Sequence, residues 1–313
     1  MLSLLGLLSG ATSPFIPYPS SFLLLLLAGL ATSSVGARAA SLRLDGATIH
    51  TAAGPVLTNA SLLVRDGKLV AVGEVMETAD RAVDLSGLHV FPGLIAPTTI
   101  LGLQEIDAVR ATRDTTEVGA WTPEVAAWVS VNPDSELIPV ARANGFTHAQ
   151  PIPLGGVVSG HSSVIALHGW TVEDLVVNRT AGLHVFWPSF ALDTRPKERV
   201  GNPDRWKSPE EQERERSKRL REIDAFFDGA AAYGKARAAA EKATEGAIGV
   251  RTVPTWEAML PVLRGDVPVF LHANEYRQIR SAVEWASGRK LRAVLAGGRD
   301  AARLADLLAT NRI

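Results

Sequence analysis

Asp84-Leu85-Ser86-Gly87-Leu88-His89-Val90-Phe91-Pro92-Gly93-Leu94-Ile95-Ala96-Pro97-Thr98-Thr99-Ile100 is the stretch across which the pattern of the chain changes. Upstream of it, short apolar runs at 42–44, 47–51, 61–65, 69–72 and 82–85 are separated by turn residues, which predicts short strands. Between two of these runs, Asp66-Gly67 supplies the pair of positive backbone angles that a tight hairpin turn needs. Residues 40–90 are therefore read as a small N-terminal β-sandwich module. Downstream of Pro92-Gly93, strands are expected at 90–95, 146–150, 163–167, 182–186, 267–272 and 292–296. They alternate with helical patterns at 134–143, 208–242, 256–263, 276–286 and 301–309. Such alternation argues for parallel βα units. The fold class is accordingly α/β, with 91–313 forming a partial (β/α)8 TIM-type barrel. A closed barrel needs eight strands and about 250 residues. The last residues, Leu307-Leu308-Ala309-Thr310-Asn311-Arg312-Ile313, read as a helix finishing ahead of a further strand. The expectation is an incomplete barrel or a truncated fragment.

Composition narrows the partners. A formal net charge of −1 over 313 residues provides no field to gather nucleic acid or an anionic membrane. The partner expected is a small-molecule substrate, and oligomeric state is left open. The first forty residues hold no Asp, Glu or Lys, and their apolar run at 22–30 precedes Ala37-Arg38-Ala39. That pattern reads as a signal peptide over 1–39 with the mature chain starting near Ala40, hence an exported, periplasmic or secreted protein. The run is well short of the ~20 apolar residues of a spanning helix, so no stable membrane span is expected in the mature chain. With no cysteine, there is neither a disulfide framework nor a thiolate metal site.

Ser208-Pro209-Glu210-Glu211 opens the long helical pattern with a capping residue, a first-turn proline and a capping-box glutamate. The mixed charges that follow, including Glu210 with Arg214 and Glu215 with Arg219 at i,i+4 spacing, read as a solvated helix face.

Several segments together carry a family resemblance. The β module with Asp66-Gly67-Lys68 and Gly73, the Asp84-Leu85-Ser86-Gly87 linker and the run 90–95 resemble the start of an amidohydrolase. Leu101-Gly102-Leu103-Gln104-Glu105-Ile106, Asn132-Pro133-Asp134-Ser135-Glu136 and Pro268-Val269-Phe270-Leu271-His272-Ala273 resemble the imidazolonepropionase-like branch of that superfamily. The resemblance covers nearly everything from residue 42 to 313. It implies a hydrolase acting on non-peptide carbon–nitrogen bonds, a cyclic amide or a related group, with one divalent, zinc-type metal generating hydroxide near neutral pH. It also implies that His272, at the end of an apolar strand, contacts that metal.

The residues at the other ligand positions differ from the pattern. Where relatives continue Asp-x-His-x-His, this chain has Ala96, Thr98 and Ile100, and a threonine hydroxyl is a poor zinc ligand while isoleucine is none. The next strand ends Leu295-Ala296-Gly297-Gly298, where many relatives place another histidine. No lysine falls at a predicted strand end, so a carboxylated-lysine bridge between two metals is not expected. The alternative to an enzyme is a catalytically inactive binding or scaffold protein on the same fold.

Other residues are candidates for the same role. A replacement site from His148, His161 and His272 requires that they converge. His168 lies near a predicted strand end beside Gly169-Trp170, and His50, His89 and His184 show no convergent partners in the sequence. Glu105 stands about where a barrel-mouth general base would, with an ordinary loop role near Arg110 or Arg113 as the plainer reading. No Gly-Lys-Ser/Thr follows the loop at 155–160, and no Gly-x-Ser-x-Gly elbow occurs.

Overall fold

A computed structural model describes residues 41–242 and 249–313. The expected signal peptide at 1–39 lies outside them. No described helix is long and apolar enough to cross a membrane. The described residues divide into two compact units, one ending at Pro92 and the other starting at Gly93.

In the first unit, β1 (Ser41–Ile49), β2 (Leu57–Arg65), β3 (Lys68–Gly73) and β4 (Arg81–Asp84) order as β3-β2-β1-β4, with β5 (His89–Val90) also pairing with β1. The module is one five-stranded sheet among the described residues, rather than the two packed layers of a sandwich. The runs at 42–44 and 47–51 belong to a single strand with an irregularity between Leu44 and Ala47. Gly46 sits there at φ 76°, and a Cβ on it would come within 2.5 Å of Ser86 Oγ. The linker thus folds onto a site that only glycine leaves open, and Asp84 Oδ1 holds the turn by accepting from Ser86 N (2.9 Å) and Ser86 Oγ (2.6 Å). The predicted hairpin forms, with Asp66 at φ 52° and Gly67 at φ 71° between Arg65 and Lys68.

The second unit is built on a six-stranded, barrel-like sheet: β6 (Leu94–Thr99), β7 (Phe146–Pro151), β8 (Val158–Ala166), β9 (Val176–Phe186), β10 (Val269–Ala273) and β11 (Ala293–Gly297), adjacent in that order. The pairs β6–β7, β9–β10 and β10–β11 are parallel, as the alternation predicts. β8 departs from it, running antiparallel to both β7 and β9. The physical reason is connection length. Residues 152–157 and 167–175 are too few for a crossover helix, so the chain can only turn back on itself. Six strands in a mixed sheet therefore replace the expected all-parallel barrel segment. β9 also begins earlier than its apolar run, because the exposed stretch 177–180 pairs with β8 without an apolar signal.

The helices are α1 (Leu137–Ala143), α2 (Val172–Leu175), α3 (Pro209–Lys242), α4 (Pro254–Leu263), α5 (Tyr276–Gly288) and α6 (Ala305–Asn311). α3 starts with the capping box read from sequence: Glu211 N donates to Ser208 Oγ (3.2 Å) and Ser208 N to Glu211 Oε2 (2.9 Å). Its ion pairs differ from the expected ones, since Glu215 pairs with Lys207 (2.5 Å) from before the helix and Arg219 with Glu222 (3.1 Å). α3 buries Ile223, Phe227 and Ala230, at i, i+4 and i+7, against Leu183, Val185, Val269 and Leu271 of the sheet and Met259 and Ile279 of α4 and α5. Trp285 Nε1 and Arg289 Nη2 both donate to Asp224 Oδ1, at 2.9 and 2.8 Å, tying α5 to the same helix. This layer covers one face of β9 and β10. It leaves the opposite face to the residues in between.

Candidate functional site

Side chains alternate across a strand. With Leu183 and Val185 of β9 and Val269 and Leu271 of β10 packed toward the helices, His184, Phe186, Phe270 and His272 stand on the other face. The parallel register sets Phe270 beside His184 and His272 beside Phe186, so each histidine is flanked by an aromatic ring. Phe270 stacks on His184 with ring centroids 4.8 Å apart, and Phe186 on His272 at 4.1 Å. Gly182 makes room for this arrangement, because a Cβ there would lie 2.2 Å from the Phe270 ring.

Within this frame His184 Nδ1 and His272 Nε2 are 2.8 Å apart and share one proton in a hydrogen bond. His184 is fully buried and its Nε2 has no partner, while His272 is half-buried. Burial lowers the His184 imidazole to about 2, assisted by the positive charge that His272 and His161 would carry. Burial likewise lowers His272 to about 4. Both rings are therefore neutral at pH 7. Sequence reading gave His184 no convergent partner, and the structure corrects this. The available signal was the matching alternation of aromatic and histidine in Leu183-His184-Val185-Phe186 and Phe270-Leu271-His272 on neighbouring strands.

The other candidates do not join the pair. His161 belongs to the helix-covered face, where its Nε2 donates to the Ala258 carbonyl of α4 (3.1 Å) and its Nδ1 is buried without a partner; burial lowers its pKa. His148 lies opposite Ala166, roughly 16 Å along β8 from His161 at ~3.3 Å per residue. Its Nδ1 contacts only the neighbouring Thr147 Oγ1 (3.0 Å) among the described hydrogen bonds. The replacement site from His148, His161 and His272 is thus not assembled. His50 and His89 pair with each other in the first unit, Nε2 to Nδ1 at 2.9 Å, with His50 stacked on Phe91. His168 lies 3.4 Å from Arg142 Nη1. Glu105 is held by Ser135 Oγ (3.0 Å) and Asn132 Nδ2 (3.4 Å) in its loop, and Arg113 pairs instead with Asp107.

The altered ligand positions have structural consequences. Thr98, in β6, has φ 55°, an uncommon conformation for a β-branched residue. At the end of β11, Gly297 has φ 91°, and a Cβ there would lie 2.5 Å from Asn274 Oδ1. A histidine at this position would be strained and would collide with Asn274. None of the strands β6 to β11 carries a lysine.

No family model and no curated protein matches the chain. Among solved structures, the amidohydrolase from Thermotoga maritima MSB8 aligns with a TM-score of 0.72 and 27% identity, over 87% of this chain and 68% of that one. The likeness is to an amidohydrolase. A prolidase solved with n-methylphosphonate-l-proline aligns at a TM-score of 0.33 and 13% identity, over 82% of this chain and 66% of that one, and adds nothing to the first likeness. The chain spans about two thirds of either protein's length. The amidohydrolase likeness supports the superfamily named by the sequence motifs, and with it a hydrolase of the amidohydrolase fold. A metal on this fold would find two neutral imidazoles, His184 and His272, with one nitrogen of each engaged by the other. A catalytic zinc usually holds three protein ligands. Among the described residues no group of three His, Cys, Asp or Glu side chains is arranged to hold an ion. The residues present do not fit that three-ligand seat.

Proposed function

We propose that this chain is an exported hydrolase of the imidazolonepropionase-like branch, cleaving a non-peptide carbon–nitrogen bond in a cyclic amide or related small molecule. The observation that carries the reading is the hydrogen-bonded His184–His272 pair near the carboxyl ends of two parallel strands of an amidohydrolase-like sheet. Strand ends of this kind are where barrel enzymes place their chemistry.

The tautomer that suits the reaction has His272 Nε2–H donating to His184 Nδ1. It leaves the Nδ1 lone pair of His272 free, and His184 fixes the ring's orientation. An attacking water gives its proton to that lone pair as its oxygen bonds to the amide carbon. The carbon–nitrogen bond then breaks, and the same proton passes to the leaving nitrogen. A zinc-type ion at His272 belongs to the proposal as the family's reading of this residue, but no step here depends on it.

The test is hydrolysis of cyclic amides, hydantoins and dipeptides by the full-length protein, with metal content measured in parallel. Activity should fall by roughly 100-fold or more in His272→Ala, and a bound divalent ion, if present at about one per chain, should be lost with it. No hydrolysis in this panel, with or without added zinc, sinks the enzyme reading. The second reading, a non-catalytic binding protein, is favoured by Ala96, Thr98, Ile100 and Gly297, which supply no ligands. It expects ligand affinity that chelators leave unchanged. Export is tested separately, by locating the protein in the cell and finding a mature amino terminus near Ala40.

A further inference from the structure

The first unit holds a second histidine pair, built differently from the buried one. β1 and β5 run parallel, with Thr48 beside His89 and Ile49 beside Val90. The amides of Thr48 and His50 donate to the Leu88 and Val90 carbonyls, both at 2.9 Å, so the backbone beneath both rings is fixed. Phe91 holds the His50 ring further by stacking on it, with centroids 4.2 Å apart and planes 9° from parallel. His50 Nε2 and His89 Nδ1 then face each other at 2.9 Å. His89 is exposed and His50 half-buried, so solvent reaches the pair.

An N–H···N bond at such a place exchanges with bonds to water and contributes only about 0.5–1.5 kcal/mol. The same spacing is that of two ligands on one metal ion. Nitrogens about 2.0 Å from an ion stand about 2.8 Å apart at the right angle of a square-planar centre, and about 3.3 Å apart at a tetrahedral angle. The pair, at 2.9 Å, falls near the square-planar value. The cleft beside His50, with Ile49, Leu62, Val90 and Phe91 in its wall, contributes no carboxylate. Calcium and magnesium, which are held by oxygen ligands, therefore find no acidic oxygen there. Imidazole suits copper, nickel and zinc, and copper(II) both ranks highest in affinity and takes tetragonal geometry.

We propose that His50 and His89 form a surface site for a divalent transition metal, copper(II) above nickel(II) and zinc, with water in the remaining positions. Ion and shared proton are alternatives. When the metal enters, the proton between the rings moves to the outer nitrogen of its own ring, which leaves a lone pair on both His50 Nε2 and His89 Nδ1. The site stands on the first unit alone and depends neither on the hydrolase reading nor on His272.

The test is calorimetric titration of the full-length protein with copper(II) chloride at neutral pH, repeated in His272→Ala so that the pair in the second unit is set apart. In that variant about one copper ion per chain should bind saturably. Its electron paramagnetic resonance should show coupling to imidazole nitrogen, and nickel(II) and zinc should bind more weakly. Adding His50→Ala or His89→Ala should weaken copper binding at least tenfold and remove the nitrogen coupling, with circular dichroism checking that the sheet is kept. His168→Ala, at an exposed histidine outside the pair, should change neither. Absence of saturable copper binding overturns the site. Copper affinity that survives both His50→Ala and His89→Ala overturns it too, because the ion is then held elsewhere on the surface.

Discussion

His184 and His272 titrate far below an ordinary histidine because their rings are closed in by Phe270, Phe186 and each other. The consequence for stability has a definite sign. Above pH 6.5 both histidines are neutral in the folded and unfolded chain and contribute no pH dependence. Below it the unfolded chain takes up protons that the folded chain refuses, down to about 4 for His272 and about 2 for His184. Stability should therefore fall as pH drops from 7 to 5, approaching roughly 1.4 kcal/mol per unit for each such histidine once pH is well below 6.5. His161, also lowered by burial, adds to the slope. Denaturant titrations across this window should give a shallower slope for His184→Asn, and an unchanged slope would contradict the burial described. A second residue-scale prediction concerns Gly297. Placing a histidine at this strand end, Gly297→His, should cost about 1–3 kcal/mol through its positive φ, with the contact to Asn274 adding to it. Equal denaturation midpoints would show that the turn relaxes at little cost.

At the scale of elements, what the sequence makes legible is whatever one local rule decides. The Asp66-Gly67 hairpin and the start of α3 at Ser208 are each set by a few adjacent residues, and both form as read. Ser208→Ala should lower stability by about 1 kcal/mol in a denaturant melt, the usual value of a capping side chain. The extent and direction of β8 were not legible in the same way, because Ser159, Gly160, His161 and Ser162 give no apolar signal and the short run at 163–167 fits a strand in either direction. Only the shortness of its flanking connections decides. The histidine pair is intermediate. His272 was visible from its strand-end position, but its partner depended on the register between β9 and β10, and a one-residue slip would turn His184 toward the helices. His161, one strand away, shows that outcome, since it faces α4.

On the scale of the whole molecule, all seven tryptophans lie beyond Gly93, so indole fluorescence reports the second unit while far-ultraviolet dichroism reports both. Phe227 is fully buried where α3, α5 and the sheet meet, in edge contact with Trp285 at 4.8 Å. Phe227→Ala should cost about 3–5 kcal/mol, which for a unit of this size lowers the fluorescence midpoint by roughly 6–20 °C. A midpoint that does not move would mean that this core is not the one that melts. The reversed course of β8 has one more consequence, for anyone wishing to alter what the protein accepts. Because β8 runs against its neighbours, the connection that precedes it, with Gly156 and Val157, comes out on the rim that holds Phe186. The connection that follows it, with His168 and Trp170, is delivered to the far rim. Variation for new specificities therefore belongs in 152–157 and in the segment after Phe186, and a library spread over 167–171 would sample surface without sampling chemistry.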